Sequence, residues 1–157
     1  MKRKFKTVAV GGTFDNFHKG HKTLILKAFE IGKKVLIGLS SDKLVEKLEK
    51  PHPTSSYKLR LAQLKMFLQK HNLLGKSSII PLNDVYGITL SKDNLDAIIV
   101  SRETEAMAIK INEERKKLGL SKIHVEVVDM VKSENNIPIS TTRIHEGEID
   151  RQGHVLK

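Results

Sequence analysis

The chain contains no cysteine, and that absence removes disulfides, a thiolate nucleophile and any thiolate-held metal or iron–sulfur centre together. Aromatic residues make up only 4% of it, too few for the row of stacking platforms on which single-strand nucleic-acid binders lay successive bases. Long apolar runs are also missing, as is a charged-then-apolar leader ending in small residues. The sequence therefore predicts neither a membrane span nor a secretory signal, and a cytoplasmic protein is expected.

What is present is a surplus of base, 28 Lys and Arg against 18 Asp and Glu, for a formal net charge of +10. Such a surplus concentrates polyanions near the surface. Apart from a cluster at Lys2, Arg3, Lys4 and Lys6, the basic residues are spread along the chain. A solvated basic surface is the plainer reading, and no nucleic-acid partner is expected. With 157 residues and 39% apolar content there is material for one buried core, and a single domain over residues 1–157 is expected.

Short apolar runs rich in Val and Ile occur at Thr7 to Val10, Val35 to Leu39, Ile79 to Leu82, Ala97 to Val100 and Val125 to Val128. Runs so little broken by polar residues are the pattern of strands covered on both faces. Between them lie helical patterns: Leu24, Ile25, Ala28 and Phe29 with Gly32 as a stop; Leu59, Leu61, Leu64, Phe67 and Leu68; and Ala106, Ile109, Ile111 and Leu118 with Gly119 as a stop. Strands alternating with helices predict right-handed βαβ units and an open, parallel, five-stranded Rossmann-like α/β sheet with helices on both faces. In such a sheet ligands bind beyond the carboxyl ends of the strands, where the winding reverses.

The loop after the first strand reads Gly11-Gly12-Thr13-Phe14-Asp15-Asn16-Phe17-His18-Lys19-Gly20-His21. Two glycines let an anion approach the main chain, and a helix starting near Lys19 or Gly20 offers N–H groups to phosphate. The spacing matches neither the dinucleotide fingerprint nor the P-loop. His18 and His21, three residues apart at a helix start, can turn both imidazoles toward one ligand and donate to a triphosphate as its charge shifts. A capping role or a metal pair is the alternative; a zinc site would need a further ligand that this motif does not supply. Far along the chain stands another irregular stretch, Ile139-Ser140-Thr141-Thr142-Arg143-Ile144.

These two segments resemble the paired signatures of the nucleotidylyltransferase superfamily, and their order and separation strengthen the likeness. Val35 to Asp42, Asp84-Val85-Tyr86-Gly87, Val100 to Thr104 with Ile111-Asn112, and Pro138 to Arg143 followed by Gly147 to Asp150 resemble the archaeal phosphopantetheine adenylyltransferase family in particular. Arg102 departs from the acidic residue common there, His145 stands where a basic residue is frequent, and the Arg-Gly-Leu-Arg segment of bacterial enzymes is missing.

The resemblance implies the nucleotidylyltransferase form of the Rossmann-like fold and transfer of the adenylyl group of ATP to 4'-phosphopantetheine, with magnesium accompanying ATP. His18, His21 and Lys50 would be catalytic, with Lys43 and Lys47 as other candidates for the lysine, or all three as solvated helix lysines. Gly11, Gly12, Thr13, Phe14, Gly20, Ser140, Thr141, Thr142 and Arg143 would hold the nucleotide. Thr13, Asp84, Tyr86, Gly87, Arg102 and Thr104 would meet the acceptor, although Asp84 to Gly87 could equally form a tight turn with a packed tyrosine. No protein-held metal site is implied. A transferase acting on another phosphorylated acceptor, such as glycerol 3-phosphate or a flavin mononucleotide, stays open, as does a regulator that binds nucleotide or RNA without turnover.

Overall fold

The computed structural model describes residues 4–47, 53–84, 86–90 and 94–129. Nine regular elements follow in chain order: β1 (Phe5–Gly12), α1 (Lys19–Ile31), β2 (Gly32–Ser40), α2 (Asp42–Lys47), α3 (Tyr57–Lys70), β3 (Ser77–Leu82), β4 (Ala97–Ser101), α4 (Glu105–Lys117) and β5 (His124–Val128). Single turns of 3-10 helix stand at Leu74–Lys76 and Gly87–Leu90. All strand pairings are parallel, in the order β3-β2-β1-β4-β5. The chain winds outward from β1 to β3, then crosses back to β4 on the other side of β1. The carboxyl ends of β1 and β4 therefore flank the point where the winding reverses, as expected for a Rossmann-like α/β fold.

Every residue of β4 is buried, as are Val8, Ala9 and Val10 of β1. The two faces of the sheet are read off alternate residues. Val8, Val10, Val35, Ile37 and Leu39 pack under α1 and α3 through Ile25, Phe29, Leu64, Phe67 and Leu68. Ala9, Ile98 and Val100 face Ala108 and Ile111 of α4. Pro81, which cannot donate to a ladder, lies in the edge strand β3 opposite Leu39.

The two expected helix stops act differently. Gly119 takes φ +77, and the following Leu120 N–H closes on the Arg115 carbonyl at 2.8 Å, the left-handed ending that glycine favours. Gly32 instead has φ −120 and ψ 143 and is already the first residue of β2. Its missing side chain is what matters: a Cβ there would lie 2.5 Å from Val8 Cγ2.

The helical stripes are also rotated from expectation. Leu59, Ile109 and Leu118 are half or more exposed, whereas Arg60 shares the buried face of α3 with Leu64, Phe67 and Leu68, and Arg115 that of α4 with Ala108 and Ile111. Guanidinium groups hold these core positions because main-chain carbonyls surround them. Arg60 meets the carbonyls of Thr13, Ser40 and Ser55, and Arg115 meets those of Thr89 and Ser121.

Candidate active site

Beyond Gly12 the chain turns sharply through two non-glycine residues in left-handed conformation, Phe14 (φ +51) and Asn16 (φ +46). Such backbone is costly and persists only where its surroundings hold it. Here the Phe14 ring is buried, edge-on to Phe17 at 6.3 Å and to His21 at 5.2 Å. Asp15, also buried, accepts from the Ser55 N–H at 3.3 Å across forty residues of chain. Phe14, expected at the nucleotide, is thus a core residue whose packing shapes the loop.

His18 is the N-cap of α1. Its Nδ1 accepts from the Gly20 N–H at 3.0 Å, while His21 Nδ1 accepts from the His18 N–H at 3.3 Å. This reciprocal pair has the logic of a capping box, built from two imidazoles. The capping and ligand readings of the histidines are therefore compatible: capping occupies Nδ1 and, in a neutral ring, puts the proton on Nε2 as a donor. The N–H of Gly20 is engaged by the His18 ring. A Cβ on Gly20 would lie 2.8 Å from His18 Cε1, so its smallness seats that ring.

The two rings stack with centroids 3.7 Å apart and planes at 22°. Burial, and then the nearby Lys22 ammonium, lower the His18 pKa to about 4. The ring is therefore neutral near pH 7. A neutral His18 whose Nδ1 is occupied by the Gly20 N–H keeps its Nε2–H as a donor, which suits it to an anion whose charge grows.

Beside this loop a cavity of about 550 Å³ opens at the carboxyl ends of β1, β2 and β4, within the usual range for a small-molecule site. Gly11, Gly12 and Thr13 line it from β1 and its loop, Ser40 and Leu44 from the end of β2 and α2, and Tyr86, Thr89, Glu103 and Thr104 from the opposite rim. Much of the wall is aliphatic, including Leu36, Ile80, Leu82, Ile98 and Met107.

Of the expected acceptor residues, Thr13, Tyr86 and Thr104 line this cavity. Asp84 instead accepts from the N–H groups of Tyr86 and Gly87 at 2.9 and 2.8 Å, forming the tight turn that was the alternative reading. Gly87 sits at φ +54, where a Cβ would lie 2.3 Å from Leu82 Cδ2. Arg102 is at the surface, its Nε 2.8 Å from Asp129 Oδ1, and Glu103 takes the place at the cavity. Lys50, Ser140, Thr141, Thr142 and Arg143 lie outside the described residues.

Ser40 and Glu103 lie in segments that carry the resemblance but were given no role from sequence, and Thr89 lies outside those segments; their places at the cavity come from the fold. Arg60 and Arg115 left a readable signal, standing three or four residues from buried apolar partners on their helices. Among the described residues no group of three His, Asp or Glu is placed to hold a metal ion, and no helix is long and apolar enough to cross a membrane.

Comparison with known proteins agrees with this geometry. Residues 9–147 match the cytidylyltransferase-like family. A phosphopantetheine adenylyltransferase of Methanothermobacter thermautotrophicus is 43% identical, covering 100% of this chain and 93% of the relative. One from Methanosarcina mazei is 47% identical, covering 96% and 97%. Among solved structures, an Archaeoglobus fulgidus protein of unknown function superposes with a TM-score of 0.71 at 34% identity, covering 78% of this chain and 89% of that one. With the strand order, the loop after β1 and full-length relatives in agreement, the chain belongs to the phosphopantetheine adenylyltransferase family of cytidylyltransferase-like proteins.

Proposed function

We propose that the protein transfers the adenylyl group of ATP to 4'-phosphopantetheine, giving dephospho-coenzyme A and pyrophosphate. The carrying observation is that a side-chain-free strand end with Thr13, leading into the loop that bears the capped imidazole pair, lines a cavity otherwise walled mainly by aliphatic groups. The strand end suits phosphates and the aliphatic wall the pantetheine arm.

The acceptor's phosphate oxygen is already ionised, so attack on the α-phosphorus needs no protein base or covalent intermediate. Alignment and charge stabilisation carry the reaction. Thr13 contacts the attacking phosphate or the α-phosphate. His18 and His21, holding their protons on Nε2, donate to the triphosphate and follow the charge onto pyrophosphate. Lys50 bridges the attacking and leaving groups, while Ser140, Thr141, Thr142 and Arg143 hold the β- and γ-phosphates. Magnesium accompanying the nucleotide would be held by phosphate oxygens and water rather than by protein ligands, and would supply charge neutralisation at the pyrophosphate.

Pyrophosphate release from a panel of ATP, CTP and GTP crossed with phosphopantetheine, glycerol 3-phosphate and flavin mononucleotide tests the reading. ATP with phosphopantetheine is expected to exceed every other pair by at least about a hundredfold in kcat/KM, the order that one or two mismatched polar contacts cost. Equal or greater turnover of another pair overturns it.

A further inference from the structure

A fully buried charge near the site belongs to a residue that no substrate touches in the scheme above. Arg60 has no exposed surface. Its guanidinium donates from Nε to the Ser55 carbonyl at 2.8 Å, from one terminal nitrogen to the carbonyls of Thr13 at 3.0 Å and Ser40 at 2.7 Å, and from the other to Asp42 Oδ1 at 3.1 Å. These acceptors come from four places: the loop after β1, the last residue of β2, the first residue of α2 and the approach to α3. Asp42 Oδ1 also accepts from the Tyr57 N–H at 2.7 Å, tying the start of α2 to the start of α3.

An isolated buried cation is a poor source of stability, and a well-packed apolar residue at such a core position is often no worse. Leu64, Phe67 and Leu68 on the same face show what the position otherwise accommodates. The planar fork of arginine, however, is the only side chain that donates in three directions at once from one fixed plane; a lysine ammonium at the end of a flexible stem cannot reproduce it.

The consequence falls on Thr13. Holding its carbonyl fixes the plane of the Thr13–Phe14 peptide, whose N–H then points the opposite way, and does so immediately before the left-handed Phe14. The same guanidinium holds Ser40, so the ends of β1 and β2 that line the cavity are kept at one separation. We propose that Arg60 is a positioning residue for adenylyl transfer, acting through the Thr13 and Ser40 carbonyls to hold the phosphate-contacting main chain in its reactive arrangement. This rests on the activity proposed above.

The test uses Arg60→Lys, Arg60→Met and Asp42→Ala in the full chain. For each, the folded fraction is measured by circular dichroism at the assay temperature, and kcat and both KM values by pyrophosphate release. Per folded molecule, the Arg60 variants are expected to lose at least about tenfold in kcat, with both KM values within about threefold of wild type, the pattern of a contact expressed mainly in the transition state. A purely structural role would lower the folded fraction and leave kcat per folded molecule unchanged; that result overturns the proposal. If neither Arg60 variant folds, Asp42→Ala decides, because the Asp42 side chain is 64% exposed and its loss removes the Oδ1 acceptor while leaving the core filled. A kcat loss of at least about threefold with an unaltered unfolding midpoint supports the proposal, and wild-type kcat overturns it. Should wild-type protein release no pyrophosphate from ATP and phosphopantetheine, the activity reading fails by itself. Amide exchange then reads the clamp: faster exchange at Thr13 and Phe14 in Asp42→Ala supports it, and unchanged exchange overturns it.

Discussion

At the scale of single residues, the histidine pair joins helix capping to anion recognition in the same two rings. His21→Ala removes one donor to the developing charge and one cap of the His18 N–H. Turnover is expected to fall by about a hundredfold or more, while the lost cap costs only about 1 kcal/mol. Steady-state kinetics beside thermal unfolding separates the two; near-normal turnover would remove His21 from the mechanism. His18 carries a pH signature. Its folded pKa of about 4 lies below the ordinary 6.5, so between these values the unfolded chain binds a proton that the folded one refuses. Its contribution to stability is therefore complete above pH 6.5 and is lost as pH falls toward 4. Urea unfolding at pH 7 and pH 4.5 should show wild type losing roughly 2 kcal/mol more than His18→Gln. Equal losses would mean that His18 is not held neutral by the fold.

At the scale of elements, the site is shaped by how strands hand over to the next segment. After β3 the chain turns through Asp84, whose carboxylate caps two N–H groups, into the 3-10 turn at Gly87–Leu90 that forms one rim of the cavity. Buried Arg115 of α4 holds that turn by donating to the Thr89 carbonyl at 2.6 Å. Gly87 is its hinge point, with positive φ and no room for a Cβ. Gly87→Ala is expected to cost about 1–3 kcal/mol of stability through the strained backbone and to raise KM for the acceptor more than KM for ATP. Parallel measurement of both KM values checks it, and an unchanged acceptor KM would show that this rim does not meet the acceptor.

At the scale of the whole molecule, the parallel sheet brings together loops distant in sequence, and the net charge of +10 acts on what approaches them. Both proposed substrates are anions, so their encounter rate is raised by the protein's field and lowered by screening. From about 0.05 to 0.5 M potassium chloride, kcat/KM for ATP is expected to fall several-fold while kcat changes little. A salt-independent kcat/KM would show that the basic surface is solvation alone and does no steering.

Five strands and three of the four α-helices among the described residues followed from the order of residues alone, because alternation of Val- and Ile-rich runs with amphipathic helices is a local signal, and the Gly-Gly-Thr-to-histidine spacing marked the loop after β1 as a candidate phosphate site. The six-residue α2 escaped that reading; it is too short to show a period. Tertiary structure decided the rest. Which imidazole nitrogen faces the main chain, whether Phe14 meets a ligand or the core, and which of Arg102 and Glu103 reaches the cavity depend on side-chain directions set by packing. Arg60 and Arg115 make the division clearest. Each lies on an apolar helical stripe where sequence pattern alone favours a surface position for a cation, and each is buried because folding assembles a shell of carbonyl oxygens from segments far apart in the chain.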